Sequence, residues 1–212
     1  MKLTILVADD HPLFRAALRE ALEEKHQQIH WLEASTFAEC MAITDAEQEH
    51  IDLVLLDLNM PDNNGLMGLV QLRSTFPAIA VAIVSATDQP STICKAMHNG
   101  ALGYIPKASS LDCIRQAMQT MLSGQRWVPE NIDLSSTSDT DHQAIGRLST
   151  LTRQQLNVLG MIAKGMLNKQ IAAELNIKET TVKTHISEIF DKLGIINRTQ
   201  AAMFTQFLET PQ

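Results

Sequence analysis

From Lys2 to Ala8 the chain is apolar almost without a break, and it then meets two acids, Asp9 and Asp10. The pattern recurs at Ile51 to Leu56, which runs into Asp57, and at Ala78 to Val84, which runs into Ser85. Continuous Val- and Leu-rich runs of this length predict parallel strands buried on both faces. Ile29 to Glu33 and Gly103 to Ile105 are shorter runs of the same kind, the second followed by Pro106 and Lys107. Between the runs the apolar period becomes helical. Leu13, Ala17, Leu18, Ala21 and Leu22 give one face to a helix from Pro12 to about Glu24. Further helices are predicted over Phe37 to Ala46, from Leu66 through Leu72, over Thr92 to His98 before Gly100, and from a Ser110 cap to about Leu122. Strand and helix alternate five times, the pattern of a doubly wound parallel sheet with helices on both faces.

After residue 123 the pattern stops. Ser, Thr and Asp crowd residues 133–141, which predicts a polar, acidic, flexible tether over 124–147, with Trp127 and Val128 packing at its start. Helical periodicity returns at Thr152, where Gln155 three residues on makes a capping-box pattern. Leu156, Leu159, Ile162 and Ala163 form that helix's apolar face, and Gly165 ends it. Asn168 is predicted to cap a short helix that stops at Asn176. A longer one opens at Glu179 or Thr180, with Val182, Ile186, Ile189 and Leu193 on one face. The last helix covers roughly Arg198 to Phe207, its stripe being Ala201, Phe204 and Leu208. The expected division is 1–123, 124–147 and 148–212.

Charge supports that division. Residues 1–123 carry 15 acids and 8 bases, residues 124–147 carry 4 and 2, and residues 148–212 carry 5 and 7. An acidic front and a mildly basic back point to different partners. Three cysteines without a CxxC pair predict reduced thiols in a cytoplasmic protein, not disulfides or zinc. No apolar run reaches the roughly 18 residues of a membrane helix.

The candidate chemistry lies at strand ends, which in an open α/β sheet line the ligand crevice. Strand one delivers Asp9 and Asp10, strand three Asp57, strand four Ser85, strand five Lys107. Carboxylates this close repel unless a cation joins them, and Mg²⁺ with oxygen ligands answers that need. A carboxylate beside Mg²⁺, an ammonium and a hydroxyl can attack phosphorus and hold the resulting acyl phosphate. His11 is expected to start the first helix and not to be a ligand. In the back third, a short helix, a tight turn and a longer helix outline a helix-turn-helix, and Lys183, Thr184 and Ser187 face away from its buried stripe. Lys169, Lys178 and Arg198 are within reach of phosphates.

DD at 9–10, LLDLNMPDNNG at 56–65, SA at 85–86 and GALGYIPK at 100–107 resemble the receiver domain of bacterial two-component response regulators. Residues 151–201 are similar to the LuxR-type output domain, so the whole chain resembles a NarL/FixJ-type regulator. The resemblance implies an α/β flavodoxin-like (βα)5 receiver and an all-α four-helix helix-turn-helix domain. It implies that Asp57 accepts phosphate from a sensor histidine kinase, and that Asp10, Asp57 and the Asn59 carbonyl hold Mg²⁺ with Asp9 acting through the metal's shell. Lys107 would pair with the phosphate, and Ser85 and Tyr104 would be the switch pair, the tyrosine turning inward on phosphorylation. Lys183, Thr184 and Ser187 would meet bases of the double-stranded DNA, with His185 near its backbone and Thr181 a further DNA-binding residue. The protein would dimerise when activated, with RNA polymerase a further partner and no membrane contact. It would be no enzyme beyond self-phosphorylation from small phosphodonors and slow autodephosphorylation. Activation would free a docked recognition helix, favour dimers, or both.

The chain departs from the family pattern at Ala108, where Pro is common, and at Gln155, Leu167 and Lys178, where Glu, Ser or Thr, and Ser are usual. A phosphatase using Asp57 would need an acid at position 59, which is Asn. A regulator whose receiver is only a phosphorylation-independent dimer platform is the second-ranked reading. A small-ligand sensor finds no apolar cage among the strand-end acids.

Overall fold

The computed structural model describes residues 3–23, 29–63, 65–130, 132–134, 144 and 146–206. The front of the chain runs β1 (Leu3–Ala8), α1 (Pro12–Glu23), β2 (Ile29–Ala34), α2 (Phe37–Glu47), β3 (Leu53–Leu56), α3 (Met67–Thr75), β4 (Ala80–Ser85), α4 (Pro90–His98), β5 (Gly103–Pro106) and α5 (Leu111–Leu122). The five strands form one parallel sheet in the order β2-β1-β3-β4-β5. Side chains alternate across a strand, so each strand feeds both faces. Ile5, Val7, Leu53, Leu55, Val84 and Ile105 pack with Leu18, Ile114 and Met118 of α1 and α5. Leu6, Val54, Leu56, Val81 and Ile83 pack with α2, α3 and α4 on the other face. Burying each such Leu, Ile or Val contributes about 2 kcal/mol, which sets the sheet's register and hence the position of whatever follows each strand.

Strand three starts two residues later than its apolar run predicts. Asp52 lies outside it, and its Oδ2 accepts the Thr4 backbone N–H at 2.8 Å. Helix α4 starts earlier than predicted because Pro90 serves its first turn. Ser110 caps α5 as expected, its Oγ accepting the Cys113 N–H. Beyond α5 the chain stays attached to the sheet longer than a tether would: Trp127 bridges Gly103 in parallel, donates its N–H to Leu102 O and accepts from Tyr104 N. The polar stretch 135–143 lies outside the described residues.

The back of the chain contributes α6 (Arg153–Ala163), α7 (Asn168–Glu174), α8 (Glu179–Leu193) and α9 (Arg198–Gln206). Thr152 and Gln155 form the reciprocal capping box that the spacing predicts. Asn168 is not a cap but the first residue of α7; Leu167 holds the cap position, and its N–H is accepted by Gln170 Oε1 at 2.7 Å. Val182, Ile189 and Leu193 of α8 are fully buried, and Ile186 is half-buried. Leu208 lies outside the described residues. The turn between α7 and α8 passes through Asn176 at φ 51°, a left-handed position that Asn tolerates.

The two units touch. Helix α3 packs on α6, and Gln71 Nε2 donates to Asn157 Oδ1 at 2.9 Å. A cleft of about 140 Å³ between them is lined by Phe37, Asn63 and Gly68 on one side and Asn157, Gly160 and Met161 on the other.

Candidate functional site

The sheet order puts β1, β3, β4 and β5 side by side, so their carboxyl ends converge. Asp9, Asp57 and Ser85 are buried, and Asp10 is half-buried. Lys107 closes the cluster. Its Nζ lies 2.8 Å from Asp57 Oδ2 and 2.8 Å from Asp9 Oδ2. Backbone pairing fixes that reach, because Lys107 N donates to Ser85 O and Asp57 N donates to Ala8 O.

These charges are held in a poorly solvated place, so burial dominates their energetics. Burial pushes the Asp57 carboxyl above its ordinary value; the hydrogen bonds from Lys107 and the Asn59 N–H pull it part of the way back, and Asp9 adds to the rise. For Lys107, burial pulls the ammonium down, but its bonds to Asp57 and Asp9 outweigh that and hold it above the usual lysine value. The Asp57 carboxylate is therefore poorly solvated, with a cation already beside it.

The carboxylates suit a divalent ion. Asp9 Oδ2 and Asp10 Oδ1 are buried and accept no well-aligned hydrogen bond, although Lys107 gives Asp9 Oδ2 its charge at 2.8 Å. Ligand atoms of Asp9, Asp10, His11 and Asp57 all lie within 4.8 Å of one another. His11 starts the first helix as the sequence reading has it, its carbonyl accepting the Phe14 and Arg15 N–H groups, and its ring lies beside the cluster as well.

Ser85 sits where expected, its Oγ accepting the Thr87 N–H. Tyr104 differs from expectation. It is fully buried, its hydroxyl donates to Thr87 O at 2.7 Å, and burial pushes that hydroxyl up to about 12. The inward turn expected on phosphorylation is already made, because the ring fills core space beside β4.

Sequence reasoning missed the braces of this site. Arg15 Nη1 donates to Asp9 O at 2.6 Å. Asn63 Nδ2 donates to Asp57 O at 3.1 Å while its Oδ1 accepts Gly68 N. Asp62 accepts the first N–H groups of α2, from Phe37 and Ala38. The turn-forming run DNNG was their signal, together with Gly68, where a Cβ would meet the Phe37 ring at 2.9 Å. The loop after Asp57 is thereby fastened to α2 and to α3, the helix on which the second unit rests.

On that second unit Thr181, Lys183, Thr184 and Ser187 of α8 are exposed along one side, and His185 is half-buried. Lys169 and Lys178 are exposed, with no side-chain cap at Lys178. Arg198 is engaged elsewhere. Its guanidinium donates to Met166 O and to Asn168 Oδ1, tying α9 to the start of α7. Gln155, the residue standing for Glu, accepts Lys192 Nζ at 2.8 Å and donates to Glu188 Oε2 at 2.8 Å. The amide's donor arm is what allows an acid at 188. The outward face of α8 is open while α6 is docked, so this arrangement does not mask a recognition helix.

A cluster of acids and one lysine at the strand ends of a five-stranded parallel sheet, followed by a helix-turn-helix unit, has the layout of a two-part signalling regulator. Residues 5–119 match the response regulator receiver domain family, and residues 149–205 match the bacterial regulatory proteins of the luxR family. The chain is 39% identical over 206 residues to the glycerol metabolism activator of Pseudomonas putida, covering 94% of this chain and 93% of that one. It is 33% identical to the nitrate/nitrite response regulator protein NarP of Escherichia coli, covering 94% and 92%. The RcsB–DNA complex shares its fold at a TM-score of 0.56 and 19% identity, covering 98% of this chain and all of that one. The protein belongs to the response regulator family, with a LuxR-type helix-turn-helix output domain: it is a DNA-binding transcription regulator. Among the described residues, no helix is long and apolar enough to cross a membrane.

Proposed function

We propose that Asp57 is the phosphoacceptor and that its phosphorylation by a sensor histidine kinase controls DNA binding. The observation that supports this most directly is the 2.8 Å approach of Lys107 Nζ to a fully buried Asp57. Asp57 attacks the phosphorus of a phosphohistidine, the P–N bond breaks, the imidazole leaves, and an acyl phosphate forms. Small phosphodonors serve by the same attack, and hydrolysis by water slowly returns the carboxylate. Asp10 and Asp57, with the Asn59 carbonyl, would hold Mg²⁺ and Asp9 would act through its shell; when bound, the ion neutralises charge on the transferring oxygens. Lys107 neutralises the remainder, and Ser85 donates its hydroxyl proton to the phosphoryl group.

Phosphorylation adds roughly −1.5 to −2 charge where Lys107 now bridges two acids. Lys107 then moves its bond from Asp9 and Asp57 to the phosphoryl oxygens, and the loop braced by Asn63 and Asp62 adjusts with it. Because the α8 face is open beforehand, the outcome we infer is dimerisation, not unmasking. Two output domains would place Lys183, Thr184 and Ser187 against bases at half-sites about one turn of DNA apart, with Thr181 and His185 beside them and Lys169 and Lys178 on phosphates. The division 1–123, 124–147 and 148–212, a cytoplasmic location and contact with RNA polymerase complete the reading. The already inward Tyr104 favours a second reading, in which the receiver is a dimer platform that needs no phosphate.

Acetyl phosphate with Mg²⁺ separates them. Wild type is expected to take up about one acid-labile phosphate per chain and Asp57→Ala none; equal uptake by both defeats the assignment, and uptake without change in DNA affinity promotes the second reading.

A further inference from the structure

The transfer chemistry leaves one ring at the cluster unused. His11 carries its side chain 63% exposed, with Nδ1 lying 2.8 Å from Asp10 Oδ1 and 3.2 Å from Asp9 Oδ1. Its backbone is fixed there, since His11 N donates to Asp9 Oδ1 at 2.8 Å and Pro12 begins α1 at once. An ion with six ligands at about 2.1 Å holds adjacent ligands about 3 Å apart. The spacing between the imidazole nitrogen and the two carboxylates matches that edge. Asp9, its side chain 2% exposed, turns Oδ1 to the ring and Oδ2 to Lys107 Nζ, while the buried Asp10 Oδ1 accepts no well-aligned hydrogen bond and has only the imidazole beside it.

Ligand chemistry then discriminates between ions. Carboxylates, a carbonyl and water suit Mg²⁺, whereas imidazole is a borderline donor that Mg²⁺ gains little from and first-row transition ions accept readily. We propose that His11 is a further metal ligand of the receiver site, giving it an N,O donor set that favours Mn²⁺ and its first-row neighbours over Mg²⁺. The proposal rests on the reading that this cluster binds a divalent ion. The ring reaches the site from the exposed side, over Asp10, so it meets the face that stays open to a phosphodonor. The ion present would then set how fast Asp57 is loaded, and the regulator would sense metal supply together with its kinase.

The experiment uses the full chain and Mn²⁺ as the probe, in wild type, His11→Asn and Asp10→Asn. Bound Mn²⁺ is counted by electron paramagnetic resonance, and ¹⁴N modulation in the spin-echo decay reports a directly bound imidazole. Wild type is expected to bind one Mn²⁺ with ¹⁴N modulation. His11→Asn is expected to keep the site, lose the modulation, and lose roughly tenfold in Mn²⁺ affinity with a smaller loss for Mg²⁺, while Asp10→Asn loses the ion. Bound Mn²⁺ without ¹⁴N modulation in wild type overturns the role of His11 and leaves the Mg²⁺ reading intact, since the ring is then only an ion-pair partner of Asp10. No bound Mn²⁺ in wild type, or binding unchanged by Asp10→Asn, overturns the metal site itself and this proposal with it.

Discussion

The two charged regions of this molecule are built on opposite principles. In the receiver, Asp57 is fully buried, Asp9 is 1% exposed, and a single ammonium bridges them. On the recognition helix, Lys183 is 63% exposed at its side chain and pairs loosely with Glu179 at 3.4 Å. Away from water a charge interacts strongly and over few partners; in water the same charge is screened and worth a fraction of a kcal/mol. A buried cluster therefore suits a switch, because one added phosphoryl group must be answered by its neighbours. An exposed row suits reading DNA, because its charges are free to move from water to phosphate. Helix α3, braced to the Asp57 loop through Asn63 and bonded to α6 through Gln71, lies between them.

The largest expected effect lies in the buried region. Lys107→Ala should slow phosphate uptake from acetyl phosphate about 10²–10³-fold, the scale seen when a preorganised charge stabiliser is removed. DNA binding by the unphosphorylated protein should be unchanged. A loss under tenfold would mean that the ammonium is a structural counter-ion only.

Next comes a residue that crosses between the categories. Arg198 looked in the sequence like a phosphate contact, but its guanidinium is spent on Met166 O and Asn168 Oδ1. Arg198→Ala should lower output-domain stability by about 2 kcal/mol, read as a shift of the thermal midpoint. Lys169→Ala or Lys178→Ala should leave the midpoint in place and reduce the salt slope of DNA binding by about 1. The reverse assignment of these two effects would break the comparison.

The smallest effect is thermodynamic and has a definite sign. Burial raises the Asp57 carboxyl, so the folded state holds that proton to a higher pH than the unfolded state does. Its favourable contribution is present below the unfolded value and is lost as pH rises through the folded one. At neutral pH the ionised group costs stability. Asp57→Asn should therefore raise the thermal midpoint by roughly 2–4 °C at pH 7, with Lys107 still paired to Asp9, and the gap should close as the solution is acidified. A gap that widens on acidification contradicts the burial argument.

How much of this was legible in the sequence follows from the same physics. Strand ends were readable because a buried strand must be apolar and the first charge marks where it leaves the sheet; Asp9, Asp57 and Lys107 announced themselves that way. The outward residues of α8 were readable by subtraction from the buried stripe of Val182, Ile189 and Leu193. Side-chain direction was not readable. Arg198 and Lys169 have the same character in a sequence, and only packing shows which one is tied down. Tyr104 gave no sign of being inward already, since its fit depends on the carbonyl of Thr87, seventeen residues away. The docking of α6 on α3 was equally invisible, because Gln71 and Asn157 are ordinary surface amides until they meet.

One measurement bears on the central claim more directly than any variant. The protein is loaded from acetyl phosphate with Mg²⁺, reduced with borohydride, which converts an aspartyl phosphate to homoserine, and mapped peptide by peptide. The account predicts conversion at Asp57 alone, suppressed in the Lys107→Ala protein. Conversion at Asp9 or Asp10, or at no residue while phosphate is retained, would contradict it.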